Sequence, residues 1–145
     1  MATVSTYLTF TDQTEAAFTH YKQVFGTEFI GEPARYGSMP AGENEEPVPA
    51  EIANLIMNVQ LPILGGHLLM GSDVPPMYAS GLVVGTNIAP TLHPDSREEA
   101  DALYAALAEG GEARMPMADQ FWGDYYGELT DRFGIPWNIV YTPAS

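Results

Sequence analysis

The sequence contains no cysteine among its 145 residues. This absence excludes disulfides, thiolate metal ligands and cysteine nucleophiles. No apolar run approaches the roughly 18 residues that a membrane-spanning helix needs. The opening MATVSTYLTF also lacks the basic and long apolar regions of a secretory leader. We therefore expect a cytoplasmic protein that has no contact with a membrane.

Basic residues are scarce, since acids outnumber bases by 19 to 5 and the formal net charge is −14. A surface this negative repels phosphate backbones and anionic lipids, so we expect no nucleic-acid partner. The phosphate-binding motifs GxGxxG and GxxxxGK[ST] and the nucleophile motif GxSxG do not occur. No organic cofactor is expected.

The first half of the chain predicts the element order βαβββ. A helix follows the first strand, opened by Asp12 with Glu15 three residues later and closed by Gly26. Residues 34–50 are rich in glycine, proline and glutamate, and we interpret them as a loop. One interpretation is that this loop acts as a lid. The β-branched and aromatic runs predict these strands: 4–10, 27–33, 51–61 and 67–73.

The second half predicts the same order again. A helix begins at Ser96, with Glu99 three residues later, and ends at Gly110. The predicted strands are 83–92, 112–117, 124–131 and 136–142. The repeated order indicates an internal duplication. The sequence therefore predicts one α+β domain, residues 1–145, built from two βαβββ modules at about 1–80 and 81–145.

Five segments carry a resemblance to a known family: YLTF (7–10), EAAFTHYKQVFG (15–26), GGHLLMGSD (65–73), EEADALYAALAEGG (98–111) and FWGDYYGELTDRFGIPW (121–137). With the repeated βαβββ order, the chain resembles the vicinal-oxygen-chelate superfamily of glyoxalase I, bleomycin-resistance proteins and extradiol dioxygenases. Within it, the chain is most similar to the PhnB-like group, also called 3-demethylubiquinone methyltransferase-like. The resemblance implies cupped mixed sheets around a cavity, and a homodimer.

Metal-dependent members of this superfamily place mostly His and Glu ligands on the cup strands. The matching positions here fall on Thr6, Met70, Asn87 or Ile88, and Asn138. Divalent first-row metals prefer imidazole or carboxylate at three or more points. We therefore expect no metal. The alternative is a metal-dependent lyase or dioxygenase with an unusual site, so whether the protein is an enzyme stays open.

The histidines do not restore a metal site. His20 lies off the apolar face of the first helix and His93 lies at a strand end, so both are expected at the surface. His67 begins a predicted strand whose register is open. If even positions such as Met70 face the cavity, His67 faces the helix or solvent; if odd positions do, His67 enters the cavity.

The aromatic stretch 121–137 supplies the candidate binding residues. Phe121 and Trp122 precede a strand and are expected across the mouth of the cavity, whereas Phe133 and Trp137 are more typical of a core. Tyr125 and Tyr126 are further candidates for stacking on a planar or cationic ligand. In a third interpretation, the protein's own methionine side chains fill the cavity.

Glu128 follows a glycine in the middle of its predicted strand. It either enters the cavity, where burial would raise its pKa and suit it to act as a base, or points outward. The sequence favours a protein that binds a small molecule in an aromatic-lined cavity without the usual metal. The expected ligand contacts are Tyr7, His67, Met70, Phe121, Trp122, Tyr125, Glu128 and Asn138.

Overall fold

The computed structural model describes residues 1–38 and 48–144. It divides the chain into two compact units, Met1–Val83 and Val84–Ser145. Each unit contains one four-stranded mixed sheet and one long helix, which confirms the predicted α+β class and the two βαβββ modules. Within the described ranges, no helix has both the length and the apolar character needed to cross a membrane.

The sheet of the first unit has the strand order β1-β4-β3-β2. Strand β1 pairs with β4 in parallel, and the other neighbours are antiparallel. Its elements are β1 (Thr6–Phe10), α1 (Thr14–Phe25), β2 (Ala34–Arg35), α2 (Ala50–Ala53), β3 (Ile56–Pro62) and β4 (Leu68–Asp73).

The sheet of the second unit has the equivalent order β5-β8-β7-β6. Strand β5 pairs with β8 in parallel, and the remaining pairs are antiparallel. Its elements are β5 (Thr91–Leu92), α3 (Arg97–Ala108), β6 (Glu112–Asp119), β7 (Tyr125–Thr130) and β8 (Pro136–Tyr141).

One face of the first sheet packs against α1. Leu69, Gly71 and Asp73 alternate along β4 as its buried positions. A Cβ on Gly71 would lie 2.6 Å from the Phe18 ring, so glycine lets the helix approach the strand closely. The opposite side, which we call the first open face, carries these residues: Tyr7, Thr9, Asn58, Gln60, Met70 and Ser72.

A buried aspartate organises the start of α1. The Asp73 carboxylate accepts hydrogen bonds from the backbone N–H of Thr14 at 3.0 Å and of Ile56 at 2.9 Å. The prediction that Asp12 caps this helix is therefore wrong, because the acceptor comes from β4, about 60 residues further along the chain. Gly26 ends the helix in the left-handed conformation, as predicted.

Three predicted strands differ from the observed elements. Residues 27–33 form no strand, and the short β2 lies instead at Ala34–Arg35, inside the predicted loop. The predicted strand 51–61 begins with α2, which follows Pro49. Only Thr91–Leu92 of the predicted strand 83–92 is extended in a ladder, since Pro90 has no N–H to donate.

The predicted loop 34–50 is only partly covered by the structure. After β2, residues Tyr36–Ser38 form a short 3₁₀ turn, and the Tyr36 hydroxyl donates to the backbone carbonyl of Asp73 at 2.8 Å. Residues 39–47 lie outside the described residues, so the interpretation of this loop as a lid stays a prediction.

The helix of the second unit begins as its sequence predicts. Ser96 caps α3 by accepting a hydrogen bond from the Glu99 N–H at 3.0 Å. Its inner face buries Ala100, Leu103 and Leu107 against the sheet. The helix ends at Ala108, shortly before the predicted stop.

His20 and His93 differ in their exposure to solvent. His93 is exposed, as expected. His20 is buried, and its ring lies 6.1 Å from that of Tyr21. The expectation that His20 lies at the surface is therefore wrong, because α1 buries a wider arc than its apolar residues mark out.

Candidate functional site

The second open face is the side of the second sheet that is turned away from α3. Trp137 and Ile139 of β8 are fully buried on the helix side, so the intervening Asn138 turns to the other face. Glu128 of β7 is the register partner of Asn138. Tyr126, two residues earlier on β7, shares this face.

Three of these side chains form a polar cluster. The Tyr126 hydroxyl donates to Glu128 Oε2 at 2.9 Å. Arg114 of β6 places its Nη1 3.6 Å from the other oxygen, Glu128 Oε1, and both side chains are about one third exposed. Glu128 is thus an acceptor between a phenol and a guanidinium, and its role as a base stays a prediction.

The phenol of Tyr126 is a stable hydrogen-bond donor. Burial raises the pKa of Tyr126 above its ordinary value, and the hydrogen bond to Glu128 raises this pKa further, whereas the Arg114 charge opposes the shift. The proton therefore remains on Tyr126 throughout the neutral pH range.

An aromatic group adjoins this polar cluster. The Trp122 ring lies 6.2 Å from the Tyr126 ring at 66°, and the Phe121 ring lies 5.0 Å from that of Trp122 at 88°. Phe121 is 97% exposed and Trp122 is 52% exposed. Two large aromatic side chains are thus in contact with solvent beside the polar cluster.

The orientation of Trp122 is set by Asp124. The indole Nε1–H donates to Asp124 Oδ2 at 3.1 Å, and the Thr142 hydroxyl donates to Asp124 Oδ1 at 2.8 Å. Because Thr142 directly follows β8, the carboxylate ties the loop that carries Trp122 to the end of the neighbouring strand.

Tyr125 lies on the helix side of β7, apart from the other predicted contacts of this unit. Its hydroxyl donates to Asp101 Oδ1 at 2.6 Å, and the Arg97 guanidinium lies 4.4 Å from the centre of its ring. A regular strand places Tyr125 and Glu128 on opposite faces, so the structure does not bring these two predicted contacts together.

The predicted contacts of the first unit are divided between two sides of its sheet. Tyr7 and Met70 are register partners on the first open face, where the Tyr7 hydroxyl donates to Ser72 Oγ at 2.8 Å. His67 lies beside Thr6 on the helix side, with its Nε2 2.8 Å from Thr6 Oγ1. A role for any of the three in ligand binding stays a prediction.

The residues at the metal-ligand positions of the superfamily do not fit a divalent metal. Thr6 is engaged with His67, Met70 offers a soft thioether, and Asn138 offers only an amide. No cluster of three or more His, Asp or Glu side chains in residues 1–38 and 48–144 has the geometry of a metal site. Among the side chains assigned above to the two open faces, Glu128 alone carries a carboxylate.

Arg114 and Asp124 are the site residues that the sequence reasoning missed. Arg114 lies on a predicted strand in a chain with only five basic residues, which is a weak signal for a charge partner of Glu128. The contact of Asp124 with Trp122 has no such signal, because an aspartate at a strand end is most often a turn residue.

Comparisons with known proteins show which family this chain belongs to. No family model matches the chain. Escherichia coli K12 YjdN is 27% identical over 141 residues, which cover 94% of this chain and 92% of YjdN. The crystal structure of PA1353 from Pseudomonas aeruginosa is 30% identical, covers 98% of both chains and superposes with a TM-score of 0.80.

Two more distant structures share the fold. The PhnB protein of Bacillus cereus is 20% identical, with a TM-score of 0.76 over 97% of this chain and 100% of that chain. A glyoxalase/bleomycin resistance/dioxygenase family enzyme of Burkholderia phytofirmans is 17% identical, with a TM-score of 0.61 over 95% and 98%. The chain therefore belongs to the same family as PA1353, and it shares its fold with the PhnB protein and with the glyoxalase/bleomycin resistance/dioxygenase family enzyme.

Proposed function

We propose that this protein binds a small planar molecule on the second open face without using a metal. The observation that carries the proposal is the placement of solvent-exposed Phe121 and Trp122 beside the fixed polar cluster of Tyr126, Glu128 and Arg114. An aromatic surface with a few oriented polar groups is the usual composition of a small-molecule site.

The aromatic group would supply most of the affinity. Covering apolar area that is now in water contributes about 25 cal/mol per Å². A ring stacked on Trp122 or set edge-on to Tyr126 adds about 0.5–1.5 kcal/mol to this. The polar cluster would supply orientation, since its hydrogen bonds are already formed in the free protein and need not be reorganised.

A metal-dependent lyase or dioxygenase finds no support in the donor set. Glu128 is held by Tyr126 and Arg114, and Asn138 occupies the position at which the superfamily resemblance implies a glutamate ligand. We therefore propose binding without turnover.

Tryptophan fluorescence tests the proposal, using 1-methylquinolinium as a planar cation and quinolin-2(1H)-one as a planar neutral probe. We expect saturable quenching by at least one probe, and a loss of affinity of about 10-fold or more in Trp122→Ala. The matched control is Tyr78→Ala, which removes another exposed aromatic side chain. Full affinity in Trp122→Ala would contradict the proposal.

Elemental analysis of protein exposed to manganese, iron, cobalt, nickel and zinc separates binding from metal-dependent catalysis. A stoichiometric ion, lost in Asn138→Ala, would support the enzyme instead. The homodimer and the cytoplasmic location stay predictions; light scattering of the purified protein tests the first.

A further inference from the structure

Asn138 lies on the second open face, and its side chain carries a polar carboxamide. Its backbone N–H donates to the Pro90 carbonyl at 3.0 Å. In the part of the chain that the structure describes, no group hydrogen-bonds to its carboxamide. The neighbouring polar groups are occupied, since Tyr126 donates to Glu128 and Glu128 also faces Arg114.

The position of Asn138 on the sheet leaves its carboxamide available to a ligand. Its register partners are Thr91 on β5 and Glu128 on β7. The Thr91 hydroxyl donates to the Ala89 carbonyl at 3.3 Å, so its proton is not directed at the amide. Tyr126 is the diagonal neighbour, and residues in this relation lie about 7–8 Å apart, within reach of an aromatic side chain.

A primary carboxamide offers an acceptor oxygen and a donor N–H₂ side by side. Its full complement is a group with an adjacent N–H donor and C=O acceptor held cis to each other, as in a lactam or an imide. Such groups are planar and are commonly part of a ring, so the same molecule could lie against the aromatic group.

We propose that Asn138 recognises the cis-amide edge of a planar heterocyclic lactam or imide whose ring lies against Tyr126 and Trp122. This inference rests on the proposed function and names the chemical class of its ligand. Arg114 and Glu128 neutralise each other beside the amide, which favours an uncharged ligand head over an anion.

The test compares three probes that share one shape: quinolin-2(1H)-one, its N-methyl derivative, which lacks the N–H donor, and naphthalene, which lacks both polar groups. Isothermal titration or fluorescence quenching gives each dissociation constant. We expect the lactam to bind about 10-fold more tightly than the N-methyl compound, since each hydrogen bond that is lost leaves a polar group unpaired.

Two variants of Asn138 assign this preference to the carboxamide. In Asn138→Leu the ratio between the lactam and its N-methyl derivative should fall to about 1, while naphthalene binding is retained. In Asn138→Asp, which keeps the acceptor for the lactam N–H but loses the donor to the C=O group, both compounds should bind more weakly while the lactam keeps its advantage. The matched control is Asn58→Leu on the first open face, which should leave the ratio unchanged.

Several outcomes would overturn the proposal. Equal affinity of the wild-type protein for the lactam and its N-methyl derivative refutes the ligand class but leaves the aromatic binding face intact. Tighter binding of 2-naphthoate than of the lactam would make Arg114 the anchor and refute the amide assignment. If none of these planar compounds binds, the proposed function falls, and the ligand class falls with it.

Discussion

The two sheets of this protein have the same strand order but carry different chemistry on their open faces. The first open face combines neutral polar groups with one methionine, and its hydroxyls are partly paired with each other, as in the bond from Tyr7 to Ser72. The second open face carries an ion pair, an amide that has no hydrogen-bond partner among residues 1–38 and 48–144, and adjoining exposed aromatic rings. This difference is the reason that we propose ligand binding on the second face.

The helix-facing sides of the two units are much more alike. Each has one aspartate, Asp73 or Asp131, that is 2% exposed and accepts hydrogen bonds from backbone N–H groups. Each also has a glycine beneath a helix aromatic, Gly71 or Gly127. On the helix side both units are closely packed, whereas their open faces carry different side chains on the same strand order.

The largest expected effect on stability comes from substituting Asp131, which supports the turn between β7 and β8. Its carboxylate accepts from the backbone of Phe133 and Ile135 and from the indole of Trp137, at 2.9–3.0 Å. Asp131→Ala removes the acceptor of two part-buried backbone donors and of the buried indole, so we expect a loss of about 3–4 kcal/mol in the free energy of unfolding. Urea unfolding followed by tryptophan fluorescence measures the change.

Asp73→Ala tests whether the two units depend equally on their buried aspartates. It removes two backbone hydrogen bonds and should cost about 2–3 kcal/mol. Asp12→Ala, at an exposed position, is the control and should change stability by about 0.5 kcal/mol or less. A loss below about 1 kcal/mol in Asp73→Ala would show that the units are not equivalent on this side.

The paired glycines should show the next largest effect. A Cβ on Gly127 would lie 2.6 Å from Met117 Sδ and 3.0 Å from Tyr104 Cε2. Gly127→Ala and Gly71→Ala should therefore each reduce the free energy of unfolding by about 1–3 kcal/mol through overpacking. Gly81→Ala is the control, because its Cβ would meet nothing within 4 Å. Unchanged stability in either buried variant would refute the close helix–sheet contact in that unit.

A smaller effect is expected on the open face itself, at Asp124. Asp124→Ala releases the indole of Trp122 without removing it, so the aromatic group loses its preset orientation. We expect binding of quinolin-2(1H)-one to weaken by about 3-fold, with little change in unfolding free energy. The exposed Asp12→Ala again serves as the control. Binding at full strength in Asp124→Ala would show that Trp122 needs no support.

The smallest expected effect concerns alkaline pH. The pKa of Tyr126 is raised above its ordinary 10.0 by burial and by its bond to Glu128. Above about pH 10 the unfolded chain therefore loses this proton while the folded protein keeps it, and stability falls as pH rises through the folded pKa. Tyr126→Phe should make this fall shallower; an identical pH profile would contradict the shift. Urea midpoints from about pH 9 to 11 measure it.

The element order was predictable from local signals along the chain. Ser96 with Glu99 and the stop at Gly26 depend on neighbouring residues, and the structure confirms both. The failed cap at Asp12 shows the limit of this reasoning. The helix start is paired with Asp73, which only folding brings close, so no local pattern reveals it.

The candidate site was predictable only in part. Phe121 and Trp122 were identifiable because aromatic residues in a connector have no strand to bury them, and both are exposed. Tyr125 and Tyr126 are adjacent and identical, so composition cannot distinguish them. The register of β7 against β8 places Tyr126 with Glu128 and Asn138, and Tyr125 against α3.

The sequence by itself determined the α+β class, the repeated βαβββ order and the aromatic character of residues 121–126, because period, turn residues and composition are local properties. Tertiary structure decided which side chains share a face. Strand register and the approach of each helix set the neighbours of Arg114, Asp124 and Asn138, and these long-range contacts have no counterpart in the spacing of residues along the chain.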